Sequence, residues 1–148
     1  MQAIGTWKGG YETALEDGRA HSVVIDLPVD EGGRSVGTSA LELCVLSLAG
    51  CISTIFATIA HKRRLAFQGM SVALEAERPD GAPTIARVRG TLRIRTKADP
   101  SEVDTVFRLT LRTCPVGVIF ARAQIPVDIH LIVTPPTGGP PVAEAVRS

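Results

Sequence analysis

From Ser39 to about Arg64 the sequence has a helical pattern with apolar residues on nearly every face: Leu41, Leu43, Val45, Leu46, Leu48, Ile52, Ile55, Phe56 and Ile59. The start is marked by Ser39-Ala40-Leu41-Glu42, the S-x-x-E spacing of a capping box, in which each side chain bonds the other residue's backbone N–H. The end is marked by His61-Lys62-Arg63-Arg64, positive charge where the helix dipole is negative. Such a helix is either the centre of a globular core or a membrane span. Leu41 to Ala60 is long enough to cross a bilayer, but Glu42, Ser47, Gly50, Ser53, Thr54 and Thr58 dilute it. The polar residues Ser47, Thr54, Thr58 and His61 fall on one narrow seam, and the rest of the chain reads as strands that would pack on the helix. The expectation is a core helix and no membrane.

The flanking segments fill in an α+β chain. Residues 3–27 read as a β-hairpin turning at Asp17-Gly18, and residues 28–37 as a loop. Ser71–Arg78 and Thr84–Lys97 alternate apolar and charged residues around Pro79-Asp80-Gly81-Ala82-Pro83, which is turn chemistry, so they form a second hairpin. If that turn centres on Gly81, Glu75 lies opposite Arg87 on the solvent face. Asp99-Pro100-Ser101-Glu102 opens a helix to about Arg112, and Thr113-Cys114-Pro115 restarts one through Phe120 or Arg122. Ile125–Val133 closes as a strand. Residues 1–134 make a single domain of ordinary size, and the Pro/Gly-rich residues 135–148 read as a mobile tail.

Several function classes drop out. The net charge is +1 and aromatic residues are 4% of the 148, so neither a polyanion-attracting field nor a stacking platform for bases is present. The stripe Arg87, Arg89, Arg93, Arg95 and Lys97 reads as a solvated sheet face partly paired with Glu75 and Glu77, not as a nucleic-acid patch. The three His and three Cys show no metal-ligand spacing, and there is no phosphate loop or nucleophile elbow, so no metal and no cofactor is expected. The first residues lack the pattern of a signal peptide, and three cysteines do not make a disulfide framework; the expectation is a cytoplasmic protein with reduced thiols.

The thiols remain. Cys114 precedes Pro115, which favours the first turn of a helix, so Cys114 becomes an N-cap facing free N–H groups and the positive end of the dipole. That setting predicts a lowered pKa and a reactive thiolate, set against the alternative of a small buried residue before a proline. Cys51 lies mid-helix in Leu48-Ala49-Gly50-Cys51, where Gly50 leaves room for a close approach; on base rates a cysteine in an apolar helix is packing. Cys44 sits seven residues earlier on the same face, about 10 Å along the axis and too far for a disulfide, and its apolar neighbours make it packing.

The run Gly37-Thr38-Ser39-Ala40-Leu41-Glu42-Leu43, then Leu48-Ala49-Gly50-Cys51, then Thr113-Cys114-Pro115-Val116 resembles the OsmC-like family, as does the order of elements. The resemblance covers residues 1 to about 134. It implies an α+β fold with an N-terminal hairpin, long central helix, second hairpin, two further helices and closing strand, in an intertwined homodimer with sites at the subunit interface. It also implies a thiol-dependent peroxidase of oxidative-stress defence that reduces organic hydroperoxides. In that chemistry Cys51 attacks, Cys114 resolves the sulfenic acid as a disulfide, and a dithiol reductant restores both. Glu42 has two open readings, a catalytic carboxylate and the helix cap. The family's well-studied peroxidase branches place an Arg in the N-terminal hairpin; none lies between Gly5 and Asp17 here, and Arg19 and Arg34 are the nearest candidates. The rival expectation is a non-enzymatic OsmC-like dimer whose cysteines are packing or line a small-ligand pocket.

Overall fold

A computed structural model describes residues 1–136; of the expected tail, 137–148 lie outside the described residues. The chain divides into two compact units, Met1–Cys44 and the remainder from Val45 onward.

The first unit is a three-stranded antiparallel meander of β1 (Ile4–Gly9), β2 (Glu12–Glu16) and β3 (Ser22–Ile25). The single hairpin expected over residues 3–27 is therefore corrected to two. Asp17-Gly18 does turn the chain between β2 and β3, but Gly9 and Gly10, at φ 123° and 55°, reverse it once more inside the stretch read as one strand. Those left-handed angles suit residues without a Cβ. Residues 28–37 are a loop, as expected, with one short 3-10 turn at Val29–Glu31. The loop is organised by Asp26, which is 3% exposed. Its carboxylate accepts the backbone N–H groups of Leu27 at 2.9 Å, Arg34 at 2.9 Å and Val36 at 3.3 Å. Burial pushes the Asp26 carboxyl up, but those N–H donors, with the Arg34 charge, hold it below the usual carboxylate range.

In the second unit, β4 (Gly69–Glu77), β5 (Arg87–Arg95) and β6 (Val127–Thr134) form a sheet with β5 in the middle. β4 pairs antiparallel with β5 from Gly69↔Arg95 to Glu77↔Arg87. The charged face lies where the alternation put it, yet the register moves by two residues: Glu75 faces Arg89, not Arg87. The connection closes on the Ala86 N–H bonded to the Glu77 carbonyl at 2.8 Å, so its centre falls beyond Gly81. Arg89 pairs diagonally with Glu77 at 2.9 Å, and Arg87 with Asp128 of the next strand, its Nε 2.9 Å from the carboxylate. β6 lies parallel to β5, which a chain can do only after a long crossover; here α2 (Pro100–Thr113) and α3 (Pro115–Arg122) supply it.

Helix α1 (Ala40–Lys62) contains the boundary between the units. By length and composition it could cross a membrane, but Leu48, Ile52, Phe56 and Ala60, four residues apart, form one buried stripe. Phe56 and Ala60 join Leu92 and Ile94 of β5 and Val103, Val106 and Phe107 of α2 in one core. Phe56 meets Phe67 edge to face, centroids 5.8 Å apart. Each such side chain taken from water contributes about 1.5–3 kcal/mol. The polar seam of Ser47, Thr54, Thr58 and His61 is exposed. Cys44 is exposed too, which corrects its reading as packing: the buried stripe begins at Leu48, past it.

Candidate functional site

Cys114 serves two helices at once. As the last cap of α2 it donates its N–H to the Thr110 carbonyl at 2.9 Å, and as the first cap of α3 its sulfur accepts the Gly117 N–H at 3.3 Å. Pro115 follows at the first helical position, where its missing N–H costs nothing. The N-cap expected of Cys114 is thus formed. Its expected electrostatic result is reversed: the thiol is pushed up to about 11. Burial at 1% exposure is the largest cause, followed by a hydrogen-bonding interaction with the Cys51 thiol; the Gly117 N–H opposes both without overcoming them.

That interaction brings Cys51, on the half-buried side of α1, to Cys114, although they are 63 residues apart in sequence. Beside Cys114 lies a cavity of about 410 Å³, with Leu48 and Ile52 of α1, Leu111 of α2, Gly117 and Ala121 of α3, and Gln124–Val127 in its wall. No side chain lies within 4 Å of where a Gly50 Cβ would stand, so the room expected there exists. Among the described residues no group of three His, Cys, Asp or Glu side chains could hold a metal.

The OsmC-like protein family model matches residues 31–130. The chain belongs to the OsmC-like family. Solved structures similar to it include the OsmC-like protein from Mycoplasma pneumoniae, at 12% identity and a TM-score of 0.78, covering 90% of this chain and 96% of that one. An organic hydroperoxide resistance protein OsmC from Legionella pneumophila follows the same fold at 16% identity and a TM-score of 0.63, covering 90% and 97%. So does the organic hydroperoxide resistance protein OhrB of Bacillus subtilis, at 17% identity and 0.59, covering 90% and 98%. No curated protein sequence matches the chain.

In this OsmC-like chain the capping box forms as the spacing predicts. The Glu42 carboxylate accepts the Ser39 N–H at 2.7 Å and the Thr38 hydroxyl at 3.1 Å, and the Ser39 hydroxyl accepts the Glu42 N–H at 3.3 Å. The Ser39 N–H first, then the Ser39 and Thr38 hydroxyls, hold the Glu42 carboxyl below its ordinary range against the push of partial burial. These bonds form the helix cap, one of the two readings of Glu42, and both carboxylate contacts use Oε2. Both candidate cations are engaged by acids of their own unit: Arg19 by Asp17 at 2.8 Å, and Arg34 by Glu12. The sequence reading missed Gly117, the donor to Cys114; its signal was available, since Gly117 is the third residue after the N-cap, where capping rules put the donor. It also missed Asp26, whose one signal is an acid ending a β-branched run just ahead of a loop.

Proposed function

We propose that the chain is a thiol-dependent peroxidase that reduces organic hydroperoxides in oxidative-stress defence. The observation that carries this is the Cys51 thiol interacting with the buried Cys114 thiol. The Cys51 thiolate attacks the outer oxygen of ROOH, the O–O bond breaks, and ROH leaves as Cys51 becomes a sulfenic acid. The Cys114 thiol then attacks that sulfur, water leaves, and a Cys51–Cys114 disulfide forms. A dithiol reductant returns two electrons and two protons. A thiol pushed up to about 11 is a poor first nucleophile at neutral pH, which supports giving Cys114 the second step. The apolar neighbours Leu48 and Ile52 favour a lipophilic hydroperoxide. Glu42 takes part as the positioning residue that caps the helix carrying Cys51.

The working unit in this proposal is a cytoplasmic homodimer, because α1 leaves apolar residues such as Leu46, 57% exposed, without cover inside the chain. It needs no cofactor or metal, and it binds neither nucleic acid nor membrane.

Steady-state turnover of cumene hydroperoxide with a dithiol tests the reading. Cys51→Ser should abolish turnover, while Cys114→Ser should leave a sulfenic acid on residue 51 that a dione reagent traps. Undiminished activity in Cys51→Ser would falsify the roles. The engagement of Arg19 and Arg34 by Asp17 and Glu12 favours the second reading, a non-enzymatic dimer whose thiols line a small-ligand pocket. That reading takes over if wild type turns over no hydroperoxide and keeps both thiols reduced.

A further inference from the structure

Two Asp-Gly steps occur in the sequence, Asp17-Gly18 and Asp80-Gly81, and the fold treats them in opposite ways. An aspartyl side chain before glycine is open to attack by the next backbone nitrogen, because glycine has no Cβ to hinder the approach. Asp80-Gly81 lies in the connection between β4 and β5, where both residues are exposed and Gly81 stands at φ 76°. The turn is closed around them by the Ala82 N–H on the Pro79 carbonyl at 2.9 Å and by Arg78 Nε on the Ala82 carbonyl at 3.2 Å. Among the described residues no donor reaches the Asp80 carboxylate and no acceptor takes the Gly81 N–H. Outside its chain neighbours, no heavy atom lies within 4 Å of where a Gly81 Cβ would stand, so a ring has room to form there. Asp17 has the same following residue and none of that freedom. Its carboxylate accepts the backbone N–H groups of Arg19 at 2.7 Å and His21 at 3.3 Å. It also lies 2.8 Å from the Arg19 guanidinium and 2.9 Å from His21 Nδ1. The His21 ring first, then the Arg19 N–H, hold the Asp17 carboxyl below its ordinary range, and an ionised carboxyl is the poorer electrophile. Gln2 crowds this step too, its Oε1 3.1 Å from where a Gly18 Cβ would stand.

We propose that Asp80 is a site of spontaneous isoaspartate formation in the folded protein, and that the contacts of Asp17 protect the other Asp-Gly step. The Gly81 nitrogen attacks Asp80 Cγ and an N–Cγ bond forms. The carboxyl hydroxyl leaves with the amide proton as water, and a five-membered succinimide remains. Water then adds to one of the two ring carbonyls and the C–N bond at that carbon breaks. Opening at Cγ restores aspartate. Opening at the backbone carbonyl leaves the chain running through Asp80 Cγ, one methylene longer, with the carboxylate on Cα. These steps need no oxidant, enzyme or cofactor, and they are independent of the thiol chemistry. The Ala86–Glu77 bond closes the β4–β5 ladder beyond the turn, so the longer backbone is confined to the connection and the register survives.

The experiment holds the full, reduced chain at neutral pH and physiological temperature for weeks and digests samples with trypsin at intervals. Electron-transfer fragmentation tells isoaspartyl from aspartyl peptides, which have the same mass, and the zero-time sample gives the background of the digestion itself. Isoaspartate should accumulate at residue 80 about tenfold faster than at residue 17, the margin expected where hydrogen bonds to a charged group must break first. In urea, where the fold no longer distinguishes the two Asp-Gly steps, their rates should converge. Arg19→Ala combined with His21→Ala changes two exposed residues and should keep the fold. It should speed the reaction at residue 17 and leave residue 80 unchanged. Equal rates at the two sites in the folded protein, a faster rate at residue 17, or a residue 80 that stays aspartate would each overturn the proposal. A double variant that leaves the rate at residue 17 where it was would overturn the protective role of those contacts.

Discussion

Gly117 donates its backbone N–H to the Cys114 sulfur across 3.3 Å, and that sulfur nevertheless holds its proton to about pH 11. A single N–H at a helix start does not offset the cost of ionising a thiol that is 1% exposed. The folded pKa is raised, so the stability linked to this group is complete below the unfolded thiol value near ~8.5 and is lost as pH rises toward about 11. The urea midpoint of the reduced protein should fall over that window. Cys114→Ala should fall less steeply there, and equal slopes would show that Cys114 is not the group responsible.

Asp26 carries the opposite linkage. Its folded pKa is depressed, so its contribution is present above the unfolded value near ~3.9 and fades as pH drops through the folded value. Asp26→Asn keeps the shape but replaces one accepting oxygen with an N–H donor that faces backbone N–H groups. The variant should be less stable than wild type at pH 7, with the gap narrowing below pH ~4. A gap that stays constant down to pH 2 would assign the effect to packing.

The sheet register is tested by two neighbours with opposite expectations. A Cβ on Gly90 would stand 2.2 Å from the Ala73 carbonyl oxygen and 2.5 Å from Leu74 Cδ2, a backbone clash that no rotamer relieves. Gly90→Ala should cost about 1–3 kcal/mol or more. Arg89→Ala, one residue away, removes only an exposed ion pair with Glu77 and should cost less than ~1 kcal/mol. Thermal melts of the two variants that rank the other way would contradict the pairing of Gly90 with Leu74.

Leu46 addresses assembly. A side chain 57% exposed can be replaced in a monomer at almost no cost. In the proposed homodimer Leu46→Arg should place a charge where a partner covers apolar surface, and sedimentation equilibrium should then report a weakened or lost dimer. A wild-type chain that sediments as a stable monomer would remove the dimer from the proposal.

Elements with a local chemical signature were legible in advance. Ser39 and Glu42 start α1 through bonds that the S-x-x-E spacing describes, Pro115 starts α3, and the alternation of Val88, Leu92 and Ile94 puts them inside β5. The N-terminal turn was missed because every residue from Ile4 to Lys8 is exposed, so β1 carries no alternation to show where it ends. The register of β4 against β5 slipped by two because Gly81 looked like the turn's centre, whereas the Ala86–Glu77 bond closes the connection. The Cys51–Cys114 contact could not follow from spacing, since nothing local joins two helices 63 residues apart; it came only through family resemblance. The sign of the Cys114 shift failed for a related reason. A helix dipole can be inferred from Pro115, but the burial that outweighs it is a property of the whole core.

The parallel pairing of β5 with β6 also sets an order of events in time. The hairpin of β4 and β5 joins neighbours in sequence, whereas Val88 finds Val127 only after α2 and α3 have been made and folded back. Such long-range closure is slow compared with hairpin formation. During synthesis Cys51 leaves the ribosome 63 residues ahead of Cys114, a lead of several seconds at roughly 5–20 residues per second. Throughout that interval the nascent chain holds one thiol without the other. In the proposed peroxidase, a sulfenic acid formed on Cys51 at that stage would have no Cys114 within reach, which would leave newly made chains more exposed to overoxidation than finished ones.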